Sequence, residues 1–423
     1  MPLKSHPLRS RVVSEMHMRR MPALSASTQM IQVVRLVEPH DRDAELVHVT
    51  AMPHVEADAR HLADRHVSGR SPDGAEYLWE RHSEASTMTV ILPDRSLDPF
   101  STEPHDAEAL AWLADAPGEV VRAVRIGIVG SESEALEIAE TVDFSEADLV
   151  SCRVGGARIW SDFRIHADGF GRLLVAAEDV QPADLGRLVQ RLQELGNYRN
   201  LALLGLPIAQ AEVPAVAHLE AELVEISKRL ATGSADKALL DELCALSAQV
   251  AAIIDATAFR MSATAAYAQI VQDRLTGLEC TWVAGFQKLD DFIERRLLPA
   301  TRTCASLMGR LESLAVRIER ATSLLRTRVE MAVQSQNVEL LRSMERNGAR
   351  QLRLQRLVEG LSVVAVSYYA LGLVAHIIKS VAPVLNIEAE HVEALAVLPV
   401  FALVWLYLRH RVKHIDREDR GHR

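Results

Sequence analysis

The feature that most constrains this chain is an apolar stretch near its end. Residues 361–378, LSVVAVSYYALGLVAHII, hold no Asp, Glu, Lys or Arg, and the stretch continues past Lys379 to Ala382 before Pro383. A bilayer core of about 30 Å takes about 20 residues of helix to cross, so this run is long enough to span. A second run, residues 394–408, ALAVLPVFALVWLYL, makes only about 22 Å of helix at 1.5 Å per residue. It has to recruit Val392 and Glu393 or sit in thinned lipid. Arg350, Arg353 and Arg356 precede the first run; Arg409, Arg411 and Lys413 follow the second; the connector sets Glu388, Glu390 and Glu393 against Lys379. Lys and Arg collect on cytoplasmic flanks. Both flanks are therefore expected inside, joined by a two-helix transmembrane hairpin, with Trp405 and Tyr407 at the inner interface.

Upstream lies a long helical segment studded with arginine. Between residues 295 and 359 there are 13 Arg against 6 acids, whereas the whole chain carries a net charge of −10. A basic band beside a membrane faces anionic lipid, and aromatic residues are not interleaved with the arginines as nucleic-acid binding would need. Leu307, Leu311, Leu314, Ile318, Ala321 and Leu325 alternate at four and three, the seam of a coiled coil, and Val329, Val333, Leu340 and Met344 continue it with a stutter near Asn337. One helix of about 85 Å from Cys304 to Glu359 is expected to pack on the helices of residues 215–298, on sister subunits, or on both, and a homo-oligomer through this stalk is expected.

The 423 residues suffice for two or three domains. Cys152, Cys244, Cys280 and Cys304 lack paired spacing, which fits a reducing compartment rather than a disulfide or zinc framework. The N-terminal segment has basic residues but no apolar core of signal type. In chain order, residues 55–66 read as a helix and 77–92 as a strand. VVRAVRIGIVG from Val120 reads as a buried strand, with Ser131 and Glu134 opening a helix as a capping box. Gly155 and Gly156 join two strands, and Ala167, Asp168 and Gly169 turn into a third. A helix follows over residues 182–198. After Pro207 no strand is expected, only helices over 215–232, 235–258 and 261–298, and Pro299 breaks the pattern.

Several residues invite a chemical reading. His54, Asp58 and His61 share one face if residues 55–66 are helical, a weak metal-site pattern that His17 or His82 could complete; with no tight His-x-x-x-His pair beside an acid, a polar helix face is the simpler reading. Trp79 and Arg81 alternate with Glu80 and His82, an acid beside an imidazole capable of proton transfer or of a structural pairing. Asp162 in Trp160-Ser-Asp-Phe-Arg164 is expected to pair with Arg164 or across the sheet. The turn from Gly127 to Gly130 could cradle a phosphate, but Glu132 and Glu134 already place negative charge there. Arg310, Arg317, Arg320 and Arg328, interleaved with Glu312, Glu319 and Glu330, suit ion pairs on a solvated face. No catalytic constellation emerges from spacing, the sequence leaves any cofactor unknown, and the chain does not read as an enzyme.

A family resemblance rests on His6-Pro-Leu-Arg9, on Trp79-Glu-Arg-His82 with Glu84, on GGARIWSDFRIHADGF from Gly155 and on VQRLQELGNYRNLALLGLP from Val189. It rests above all on GRLESLAVRIERATSLLRTRVEMAVQSQN from Gly309 and LQRLVEGLSVVAVSYYALGL from Leu354. In these the chain resembles domain of unknown function 3422, membrane-anchored proteins of Gram-negative bacteria; Met18 to Pro22 and Ala85 depart from the pattern. The resemblance implies an inner-membrane anchor and no activity.

The expected architecture is an α+β cytoplasmic head (1–205), a helical region (206–299), a coiled-coil-like stalk (300–360), a first transmembrane helix (361–382), a short outer loop (383–391), a second transmembrane helix (392–408) and a basic cytoplasmic tail (409–423). This suits an anchored homo-oligomeric scaffold or sensor. A second reading is an ion channel, because the order of parts is similar to magnesium/cobalt channels of the CorA type, with Ser362, Ser367, Tyr369 or His376 lining a pore. Those channels close the first span with Gly-Met-Asn, where this chain has His376-Ile-Ile-Lys379, and Lys379 would repel a cation. A third is a tethered enzyme using the His-rich head.

Overall fold

A computed structural model describes residues 5–15, 21–63, 65–94, 98–232, 237–385, 394–407 and 410. The chain divides into two compact units, Met1–Thr322 and Ser323–Arg423. The first is built on one sheet of β1 (Thr28–Leu36), β2 (Arg60–Ala63), β3 (His66–Arg70), β4 (Glu76–Arg81), β5 (Ala85–Leu92), β6 (Glu119–Val129), β7 (Val150–Val154), β8 (Ala157–Ser161), β9 (Gly171–Ala176) and β10 (Thr281–Trp282). The order across the sheet is β10-β7-β8-β9-β6-β1-β5-β4-β3-β2. Neighbours run antiparallel except β6 and β9, which are parallel. A parallel pair needs a crossover, supplied by the helix after β6 and by the β7–β8 hairpin.

The helices are α1 (Arg9–Glu15), α2 (Arg42–Thr50), α3 (Ala107–Ala114), α4 (Glu132–Thr141), α5 (Pro182–Leu203), α6 (Gly205–Ala231), α7 (Lys237–Leu278), α8 (Leu289–Leu385) and α9 (Ala394–Tyr407). Central strands β1 and β5 are buried along nearly their whole length, as strands covered on both faces are. Their side chains divide by parity. Met30 and Val34 join a core with α5, α7 and the start of α8, while Ile31 and Val33 join Trp112 and Leu113 of α3 on the other face.

Local signals explain many of these elements. Gly155 and Gly156 adopt φ of +57° and +94°, the mirror-image turn that a two-residue hairpin requires. Ser131 Oγ accepts the Glu134 N–H at 3.3 Å and starts α4, while the Glu134 carboxylate accepts the Gly130 N–H at 2.9 Å. The expected helix over residues 55–66 is absent. Pro53 and His54, the latter at φ +55°, turn the chain into a short 3-10 turn and then the β2–β3 hairpin, whose register pairs Leu62 with Val67. A Cβ at Gly69 would stand 2.7 Å from both Met52 Sδ and Val55 Cγ1, so the strand packs there only because Gly69 has none. The strand expected over 77–92 is a hairpin, β4 and β5.

The helical region also differs from expectation. Helix α6 begins before Pro207 and carries Pro214 inside it, α7 is continuous over what reads as two helices, and α8 passes through Pro299. An internal proline costs about 3 kcal/mol; burial of Ile293, Leu297 and Ala300 around it offsets that locally. Strand β10, unforeseen after Pro207, adds an edge to β7 with Trp282 opposite Cys152. The first part of the seam, Leu307, Leu311, Leu314, Ile318 and Ala321, is buried within the single chain. Arg310 pairs with Glu220 of α6 at 2.8 Å, and a Cβ at Gly205 of α6 would meet Thr264 of α7 and Cys304 of α8. This first part of the seam thus packs in a bundle of α6, α7 and α8, the first of the expected arrangements.

In the second unit, the expected two-helix transmembrane hairpin is overturned. Among the described residues of the C-terminal end α8 alone is long and apolar enough to cross a bilayer, whereas α9 is a short apolar helix whose described part is about 21 Å, well below a 30 Å core. The return crossing, and the cytoplasmic C terminus that depended on it, lose their basis. The connector acids Glu388, Glu390 and Glu393 and the basic residues Arg409, Arg411 and Lys413 lie outside the described residues. The α5–α6 segment passes the same length and composition test, but its apolar positions Leu185, Leu188, Val189, Val216 and Leu219 are core of the first unit.

Candidate functional site: an arginine-lined cavity

Helix α5 lies on the sheet through Leu185, Leu188, Val189, Leu192 and Leu195, all buried at the three- and four-residue spacing of one helix face. Beneath its C-terminal half is a cavity of about 160 Å³. It is walled by the start of β6, by β8, by residues 163–173, by α5 and by Leu289. Half of the wall is aliphatic. Its charged members among the described residues are Arg122, Arg164, Arg172 and Arg199, with no Asp or Glu among them. Val120 (52 % exposed) and Ile165 (81 %) stand at its open side.

Each arginine has a distinct electrostatic situation. Arg164 and Arg296 share Asp148, at 2.7 and 3.1 Å. Arg172 and Arg125 share Asp168, at 3.5 and 3.2 Å. Arg122 and Arg199 have no carboxylate partner among the described residues. Arg122 Nη1 donates to Gln193 Oε1 at 2.7 Å, to Asn197 Oδ1 at 2.8 Å and, longer, to Gln32 Oε1 at 3.4 Å. Arg199 donates from Nε and Nη2 to Asn200 Oδ1 at 3.2 and 3.0 Å. Burial, then the nearby Arg199 cation, pushes Arg122 down to about 9; burial, then Arg296, pushes Arg199 down to about 10. Both remain cations at neutral pH.

Two further features shape the cavity. Gly196 is the point where α5 crosses Arg122, and a Cβ there would lie 2.8 Å from the guanidinium carbon. Phe163 holds φ at +54°, a conformation a bulky residue rarely adopts and one that concentrates at functional sites. It is clamped between the Arg199 guanidinium, 4.6 Å from its ring centre, and the Phe292 ring at 4.9 Å, which in turn carries Arg296 at 3.9 Å.

The residues singled out from sequence lie elsewhere or act differently. His54, Asp58 and His61 are exposed and do not share a helix face: His54 Nε2 is 2.8 Å from Glu108, Asp58 is in a 3-10 turn, and His61 is on β2. Among the described residues no group of three or more His, Cys, Asp or Glu is placed to hold a metal, and His17 lies outside them. Glu80 and His82 do come together, with His66 and Glu194, around a second cavity of only about 40 Å³, about the room of one or two waters. Asp162 does not pair with the Arg164 guanidinium. Beyond the end of β8 it accepts the backbone N–H groups of Ser145 and Arg164 at 3.1 and 3.2 Å and faces His166 Nε2 at 3.3 Å, which ties the loop before β7 to the loop after β8. At the Gly127–Gly130 turn the Glu134 carboxylate occupies the place a phosphate would take.

Arg122 and Arg199 were not anticipated. Alternation in VVRAVRIGIVG sets Arg122 on the side of Val124, Ile126 and Ile128, all core residues under α5, and that parity was the available signal. For Arg199, no sequence pattern separates it from a surface arginine.

The profile of the family described as Protein of unknown function (DUF3422) matches residues 4–415. The chain belongs to that family. No curated protein and no solved structure matches it. Two of the blocks that carry the resemblance, residues 155–170 and 189–207, both contribute to the wall of this cavity.

Proposed function

We propose that the protein is a membrane-tethered scaffold or sensor, not an enzyme, whose head is held at the cytoplasmic face of a bacterial inner membrane by one crossing in α8. The observation that carries this reading is the apolar end of α8, where Leu361, Tyr368, Tyr369 and Leu373 stand each about 70 % exposed. Water is a poor solvent for such a surface, whereas lipid covers it at no cost in unsatisfied backbone, because a helix bonds its own amides. Arg350, Arg353 and Arg356 flank the crossing on the side of the head, which favours a cytoplasmic head. Helix α9 suits an interfacial or re-entrant position, given its length.

Self-association is part of the proposal. Val333, Leu340 and Met344 continue the seam beyond the portion used by α6 and α7, and they are exposed; a second copy of α8 offers the same stripe and would cover it.

Protease treatment of sealed spheroplasts and of inside-out vesicles tests the topology. The reading expects residues 21–322 to be cleaved only in inside-out vesicles. Cleavage of the head in intact spheroplasts would reverse the orientation, and recovery of the full chain in the soluble fraction would remove the tether.

A further inference from the structure

We propose that the cavity beneath α5 is a receptor site for a compact organic carboxylate with an apolar body, bound by Arg122 and Arg199. The inference concerns the head alone and stands independently of the tether.

Charge balance is the first argument. Arg122 and Arg199 are half-buried, and a charge partly withdrawn from water without a counter-ion is held at a cost that pairing with an opposite charge relieves. Around this cavity Asp148 and Asp168 serve Arg125, Arg164, Arg172 and Arg296, while Arg122 and Arg199 have only amide oxygens and an aromatic face. An anion in the cavity supplies the missing charge where screening by solvent is weak.

Geometry is the second. The protein acceptors of Arg122 all sit on Nη1, and among the described residues none is placed on its Nε–Nη2 edge. That edge is the side of a guanidinium that takes a carboxylate through two parallel hydrogen bonds. Arg199 has spent Nε and Nη2 on Asn200 and keeps Nη1. Gln193, Asn197 and Asn200 hold the two cations in place without neutralising them, as pre-organised donors of an anion site do.

The third argument is the rest of the wall. Val124, Ile159, Leu173, Leu192, Leu195 and Leu289 surround the arginines, so a bare inorganic anion would leave apolar surface uncovered. A volume of about 160 Å³ is close to the roughly 150 Å³ that takes a benzene ring in a protein interior, which sets the size of the body. The strained Phe163 and the exposed Ile165 lie on the same loop at the open side, where a ligand enters.

Benzoate, its neutral isostere benzamide and inorganic phosphate are the probes, titrated into the full-length protein in detergent and followed by calorimetry. The expected result is saturable 1:1 binding of benzoate, at least about tenfold weaker binding of benzamide and phosphate, and loss of benzoate binding by at least about tenfold in Arg199→Gln. Without ligand, Arg199→Gln is expected to melt at or above the wild-type temperature, because it removes an uncompensated charge; a merely structural arginine would instead lower it. In the unaltered protein, benzoate is expected to protect Arg122 and Arg199 from phenylglyoxal, read by peptide mass, while exposed Arg187 continues to react. Equal binding of benzoate and benzamide, phosphate binding as tight as benzoate, or no protection of either arginine would overturn the assignment.

Discussion

The seam of α8 provides a quantitative test of where the stalk finds its partner. Leu311 is 0 % exposed and Leu340 is 61 % exposed, although both stand on the same apolar stripe. Replacing a buried leucine by alanine costs about 2–5 kcal/mol, through lost transfer energy and the cavity left behind, whereas a mostly exposed leucine costs about 0.5 kcal/mol or less. Leu311 packs within one chain, so its loss is unimolecular and independent of protein concentration. Urea unfolding of the full chain in detergent, followed by circular dichroism at two concentrations about tenfold apart, separates the cases. Leu311→Ala is expected to lose about 2–5 kcal/mol at both concentrations. Leu340→Ala is expected to be near neutral in the dilute sample and to weaken self-association in the concentrated one. A Leu311→Ala loss that appears only at high concentration would show that this part of the seam lies between chains and refute the bundle.

Gly205→Ala should destabilise by about 1–3 kcal/mol through overpacking, since its Cβ would collide with Thr264 Oγ1; most of the loss should return in the double variant with Thr264→Ala, measured by thermal melting. Glu84 and Arg260 form a largely buried pair joining the β4–β5 turn to α7, so Glu84→Gln removes the counter-charge of Arg260 and should cost about 1.5–3 kcal/mol by urea unfolding. Burial, then nearby Asp73, Glu108 and Asp106, pushes the Tyr77 hydroxyl up to about 12. The unfolded chain releases that proton near pH 10, so stability is expected to be lost as pH rises from 10 towards 12, and Tyr77→Phe should flatten that part of the melting profile. Towards a thiol reagent, exposed Cys244 should react first and partly exposed Cys280 next, with buried Cys152 and Cys304 protected until unfolding.

Much of the sheet was legible because turns carry their own chemistry. Gly155-Gly156 fixed a hairpin, Ser131 fixed a helix start, and VVRAVRIGIVG named a buried strand. What failed was the reading of polar periodicity alone. Residues His54, Asp58 and His61 fit a helix face by spacing, but the positive φ of His54 turns the chain, Asp58 falls in a 3-10 turn and only His61 lies on the exposed edge hairpin of β2 and β3. Prolines misled in the opposite direction, because packing around Pro214 and Pro299 outweighs their local preference. The cavity was not legible, since its two decisive cations come from β6 and α5 and are noteworthy only for lacking an acid, a property that exists once the fold has distributed the carboxylates. The second transmembrane helix failed on length, a limit already visible in its roughly 22 Å.

Cell breakage followed by an alkaline carbonate wash tests the central claim most directly, applied to the full chain and to a chain ended after Gln351. The account expects the full chain in the washed membrane pellet and the shortened chain in the supernatant. A full-length chain that remains in the supernatant, or a shortened one that stays in the pellet, would contradict a tether formed by the apolar end of α8.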